Sequence, residues 1–113
     1  MLLVKTITVS ELEEMSKKMY EPIVKAVVDI ETREIVVDAE FHSDQELLLL
    51  DHGSNQENLW GINLWPDRYG TDKFVEFDSM INLRPRQNNR SRGVENSEIR
   101  KIIIEIVNEV VKQ

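Results

Sequence analysis

The chain has no cysteine, only three prolines and only four glycines among its 113 residues. Without cysteine there is no disulfide, no thiolate metal ligand and no cysteine nucleophile. No run approaches the roughly 18 consecutive apolar residues that a membrane span requires. The opening stretch, Met1 to Thr6, is too short and too soon polar for a secretory signal. Together these absences point to a cytoplasmic protein with no membrane partner. The sequence also has no His-Glu-x-x-His, no glycine-rich phosphate loop, no Gly-x-Ser-x-Gly and no zinc-ligand spacing. It implies no cofactor and no resident metal.

What is present is ordinary in bulk and uneven in detail. Hydrophobic content of 41% and charged content of 31% suit a soluble globular chain. This length holds one core, so a single domain is expected over residues 1–113. The formal charge is −7, yet residues 84–92 carry four of the 14 basic side chains and none of the 21 acids. A chain this acidic does not wrap nucleic acid as a whole, but a local basic patch can still bind an anion.

Residues 2–8 read as a strand. Ser10 and Glu13 form a capping-box pattern that opens a helix, which Glu21-Pro22 closes. A hairpin follows, with Ala26, Val28 and Ile30 facing Ile35, Val37 and Ala39. Pairing Ile30 with Ile35 makes one face apolar and sets Lys25 opposite Glu40. Ser43 and Glu46 suggest a second capping box before a short helix that Gly53 terminates. Residues 58–65 read as a strand with Trp60, Ile62 and Leu64 on one side, and residues 74–84 as a long returning strand that Pro85 ends. Asn96 or Ser97 caps a last helix, whose stripe is Ile99, Ile102, Ile103, Ile106, Val107 and Val110. The order β-α-β-β-α-β-β-α gives an α+β fold: two layers, with a mostly antiparallel sheet of about five strands and helices on one face. Its first six elements follow the ferredoxin-like, split βαβ order.

Three regions hold candidate chemistry. In the loop "RPRQNNRSRG", arginine forks can converge on an anion beside a helix N-terminus. Arg86, Arg90 and Arg92 are the candidate contacts, with Asn88 and Asn89 as neutral supports. Arg84 shares a strand face with Asp78 and Glu76 and reads as structural. In the second region Asp38, Glu40 and His42 alternate along the hairpin. Side chains two apart on a strand lie about 6–7 Å from each other, close enough for a carboxylate to orient an imidazole or share a divalent ion. Equally, alternating acids are the usual solvated face of a strand. In the third, Trp60 and Trp65 are five residues apart and point to opposite faces. Trp60 belongs to the core, and Trp65 either lines a pocket or packs over the Pro66 turn.

The stretches "VKAVVDI" (24–30), "ENLWGINLWPD" (57–67) and "FDSMINLRPRQNNRSRGVE" (77–95) resemble a family of small uncharacterised bacterial and archaeal proteins, a domain of unknown function. The resemblance covers nearly the whole chain. It implies a free-standing single-domain protein and brings no activity, substrate or cofactor with it.

Three functions are consistent with these features. The first is a binding module for an anionic ligand (a phosphate, a nucleotide or an RNA backbone) through Arg86, Arg90 and Arg92, with Trp65 as a wall. The second is a hydrolytic or metal-dependent enzyme using His42 with Glu40 or Asp38. The third is a homo-oligomer or partner-binding protein, suggested by Ile104 and Val111, which lie off the stripe of the last helix, and by Trp65.

Overall fold

The computed structural model describes residues 1–113. Strands β1 (Leu2–Val4) and β2 (Ile7–Thr8) replace the single strand expected at the start. The chain bends at the exposed pair Lys5 and Thr6 and sends its two halves to different sheets. Helix α1 (Val9–Lys18) follows directly. Thr8 caps it in a capping box with Glu11, two residues ahead of the Ser10–Glu13 pair. The Thr8 cap adds half a turn and buries Leu12 and Ser16.

Strands β3 (Val24–Asp29) and β4 (Ile35–Val37) form the expected hairpin, in a shifted register. Val28 lies opposite Ile35 and Val27 opposite Val36. The shift is two residues, so the apolar faces survive it. Its cause is Asp29, whose Oδ1 accepts from the backbone N–H of Glu31 (2.8 Å) and Thr32 (3.1 Å). Its Oδ2 accepts from the Ser54 hydroxyl at 2.6 Å. This aspartate turn starts the reversal earlier than the charge pattern suggests. Strand β4 then stops because Asp38 adopts a left-handed φ of 63°.

Helix α2 (His42–Asp51) begins after Phe41, which offers no side-chain cap, so the Ser43–Glu46 box does not form. Gly53, at φ 98°, ends the helical segment as expected. Strand β5 (Leu59–Leu64) pairs with β3 over six residues, and β6 (Val75–Glu76) pairs with the end of β5. Helix α3 (Ser97–Val110) is capped by Asn96, and β7 (Val111–Lys112) pairs in parallel with β2.

The main sheet has the order β1-β4-β3-β5-β6, antiparallel throughout. The α+β class and the five antiparallel strands are as the sequence implies. A ferredoxin-like arrangement is not formed, because that motif needs parallel neighbours and this sheet has none. The helices also occupy both faces. Helices α1 and α3 cover Ala26, Val28, Ile35, Trp60 and Ile62, while α2 brings Leu49 against Val27, Val36 and Leu59 on the other side. Val27 and Val36 lie on the face that simple alternation leaves to solvent. Because they are apolar, that face too needs a cover. No helix is long and apolar enough to cross a membrane.

Val111 is buried in β7 against Ile7, so it supplies no exposed surface for self-association. Ile104 is half-buried.

Candidate functional site

The segment from residue 77 to 95 does not form the expected long strand. After Glu76 the chain leaves β5 and folds into tight turns at Met80–Asn82 and Pro85–Gln87. Side-chain amides replace the missing ladder. Asn82 Oδ1 accepts from the Gly61 N–H at 2.9 Å, and its Nδ2 donates to the Gly61 carbonyl at 3.0 Å and the Arg92 carbonyl at 2.9 Å. Asn89 Nδ2 donates to the carbonyls of Asn82 (2.6 Å) and Gly93 (2.8 Å), and its Oδ1 accepts from the Glu95 N–H at 2.8 Å. Both asparagines are buried. Asn89 is therefore framework, not a free ligand support.

This framework sorts the arginines. Arg84 is structural, but through a ring and two carbonyls and not through the expected strand face with Asp78 and Glu76, which does not form. Its guanidinium lies 4.0 Å from the Trp60 ring centroid and donates to the carbonyls of Leu59 (2.8 Å) and Gln56. Arg92 uses Nε on Asp78 Oδ1 at 2.6 Å, which leaves its terminal nitrogens without a hydrogen bond. The Arg86 and Arg90 side chains are exposed and make no ion pair. Asn88 is exposed at a left-handed φ of 59°, closing the turn. Trp65 follows the far end of β5, where the Arg68 guanidinium covers its ring at 3.9 Å. It packs over its own turn and does not wall the arginine loop.

Asp38, Glu40 and His42 do not form the alternating row that the hairpin pattern implied. With Asp38 in the left-handed region, the strand has already ended. Glu40 accepts from the Tyr20 hydroxyl at 3.3 Å. His42 opens α2, is largely buried and lies with Nε2 2.8 Å from the Ile62 carbonyl. A carbonyl only accepts, so Nε2 carries the proton. No group of three or more histidine, aspartate or glutamate side chains is arranged to hold a metal ion.

Burial pushes the His42 imidazole below its ordinary value of 6.5, and nearby Lys25 and Arg92 push it further, against the opposing effects of the Ile62 carbonyl and Asp78. It is therefore neutral at pH 7. A histidine whose folded value is lowered contributes stability that is complete above 6.5 and is lost as pH falls through the folded value, because the unfolded chain takes up the proton first. Urea midpoints for wild type and His42→Gln should be similar at pH 7.5 and diverge at pH 5, with wild type declining more. Parallel declines would refute the assignment. Glu46, which burial pushes upward, titrates in both proteins and cancels from the comparison.

His42 and Arg92 nevertheless meet at one cavity of about 170 Å³. Lys25 of β3 joins them, with the hydroxyl residues Ser43 and Ser79. Phe41, Met80 and Ile81 complete the lining. Lys25 has no carboxylate partner, because the shifted register and the end of β4 remove the expected pair with Glu40. Its ammonium lies 4.6 Å from the Tyr20 ring centroid and 5.7 Å from that of Phe41. Gln45 of α2 donates to the Lys25 carbonyl at 2.8 Å and locks helix to strand beside the cavity. Sequence reasoning missed Lys25 and Ser79 as site residues. Lysine on a strand between Val24 and Ala26 reads as a solvated position, and Ser79 reads as one member of a strand row.

A family model described as protein of unknown function (DUF5674) matches residues 1–110. No curated protein and no solved structure matches the chain. The match runs from β1 through the last residue of α3 and so takes in every residue of the cavity. The chain belongs to the DUF5674 family, proteins of unknown function.

Proposed function

We propose that the protein binds a small phosphate- or carboxylate-bearing ligand in the cavity between Lys25 and Arg92. The observation that carries this is an ammonium without a carboxylate partner beside a guanidinium that is paired through Nε and has its terminal nitrogens unbonded, in a chain of formal charge −7. In a protein with surplus carboxylates, a cation left without one at a concave site favours an anion from solution. Asp78 orients the Arg92 fork through Nε and leaves its terminal donors for a ligand. Ser43, which is exposed, offers a hydroxyl at the same place. Neutral His42 keeps a hydrogen-bonding group there without a further positive charge.

The anion site thus rests on Arg92 of the loop with Lys25, and not on Arg86 and Arg90. Those two remain a salt-sensitive rim that can attract a polyanion such as RNA without forming a pocket. Calorimetric titration of inorganic phosphate should give binding that weakens with added chloride. Lys25→Gln/Arg92→Gln should lose at least about tenfold in affinity, the size of one or two charge-assisted contacts. Arg86→Gln/Arg90→Gln should change it by less than about threefold at physiological salt. Absence of phosphate binding, or a Lys25→Gln/Arg92→Gln protein that binds as wild type does, would remove the proposal. The urea midpoint of each variant serves as the folding control.

A further inference from the structure

Two side chains on the cavity lining are out of place for a site that holds only an inorganic anion. Met80 is 62% exposed, the highest value among the large apolar residues, and Phe41 is 51% exposed. Isolated exposed hydrophobics are common on soluble proteins and need no explanation. Here two of them flank one cavity with a cationic floor. Phe41 also occupies the position before α2 where serine, threonine, aspartate or asparagine would stabilise the helix, and it leaves that helix without a side-chain cap. Its ring lies 5.7 Å from the Lys25 ammonium and lines the same cavity.

Resting on the anion reading above, we infer that the ligand is an organic anion: a phosphate or carboxylate attached directly to an aromatic or short aliphatic group. The anionic end meets Lys25 and Arg92, and the apolar body lies against Phe41 and Met80. An aromatic ring offers a flat face for such a body, and the unbranched thioether of methionine adapts to its shape. Removing that apolar surface from water adds affinity that a bare anion cannot obtain. Inorganic phosphate therefore fills only part of the site.

Phenyl phosphate, inorganic phosphate and phenol, titrated separately into the full chain, test this. Wild type should bind phenyl phosphate about tenfold more tightly than inorganic phosphate, with phenol far weaker than either. Phe41→Ser/Met80→Ser should bring the first two to within about twofold of each other, chiefly by weakening phenyl phosphate. Both side chains are exposed, so the variant is expected to fold, which its urea midpoint checks. Equal affinities in wild type, or a preference that survives in Phe41→Ser/Met80→Ser, would overturn the inference and leave the anion site standing. Failure of both phosphates to bind would instead overturn the anion site and this inference with it.

Discussion

Asn82→Leu should destabilise the protein by about 4 kcal/mol, an exceptionally large loss for one substitution. Leucine matches asparagine in shape, so little cavity is made, and the loss is almost wholly of hydrogen bonds. Two backbone groups lose the Asn82 amide as partner together, the Gly61 N–H and the Gly61 carbonyl, while the Arg92 carbonyl is left with the Ser79 N–H alone. Asn82 is fully buried, so water does not replace it. Each orphaned buried group costs about 1–3 kcal/mol. The denaturation midpoint should fall sharply with an unchanged m-value if the native state only loses stability. Asn82→Asp is the sharper companion. It keeps the acceptor for the Gly61 N–H but turns a carboxylate towards two carbonyl oxygens, so it should be no better than leucine. A leucine variant within about 1 kcal/mol of wild type would show that the amide is not what holds the turn to the sheet edge.

Gly61→Ala should cost about 3 kcal/mol, through overpacking and not through lost bonds. A Cβ at this position would lie 2.6 Å from both Cβ and Oγ of Ser79 and 3.2 Å from Ile81 Cγ1. Ser79 cannot retreat easily, because it is buried, its N–H donates to the Arg92 carbonyl at 2.9 Å and its hydroxyl accepts from the Ile81 N–H at 3.3 Å. The new methyl therefore pushes the turn away from β5 and strains the Asn82 bonds as well. Ser79→Gly removes both clashing atoms, so Gly61→Ala/Ser79→Gly should be more stable than Gly61→Ala alone. That sign is the diagnostic result, because unrelated substitutions would add their losses. A double variant less stable than Gly61→Ala would contradict the close-packing account. Ser79 also lines the cavity, so a displaced turn should weaken phosphate binding in Gly61→Ala.

These two positions explain why the sequence was a poor guide between residues 74 and 95. The alternation of Val75, Phe77, Ser79, Ile81 and Leu83 resembles a strand, but only Val75 and Glu76 pair as one. What displaces the strand is an amide bonded to a glycine 21 positions earlier in the chain, a contact no local pattern encodes. The hairpin shows a milder form of the same difficulty. Its apolar rows were legible from periodicity, but its register was not, because the side chain of Asp29 decides where the turn begins. At the start of α1 two overlapping capping patterns exist, and only the placement of Leu12 in the core selects Thr8 over Ser10.

The amino-acid order alone determined the α+β class, the antiparallel hairpin and the last helix with its apolar stripe. Each of these follows from neighbours a few positions apart: periodicity, caps, turn residues and paired strands. Only the tertiary structure decided that helices cover both faces, that His42 donates to the Ile62 carbonyl, and that Lys25 and Arg92 share one cavity. Whether a charged side chain is neutralised depends on which carboxylate lies within a few ångströms of it. The fold sets those distances between residues far apart in the sequence.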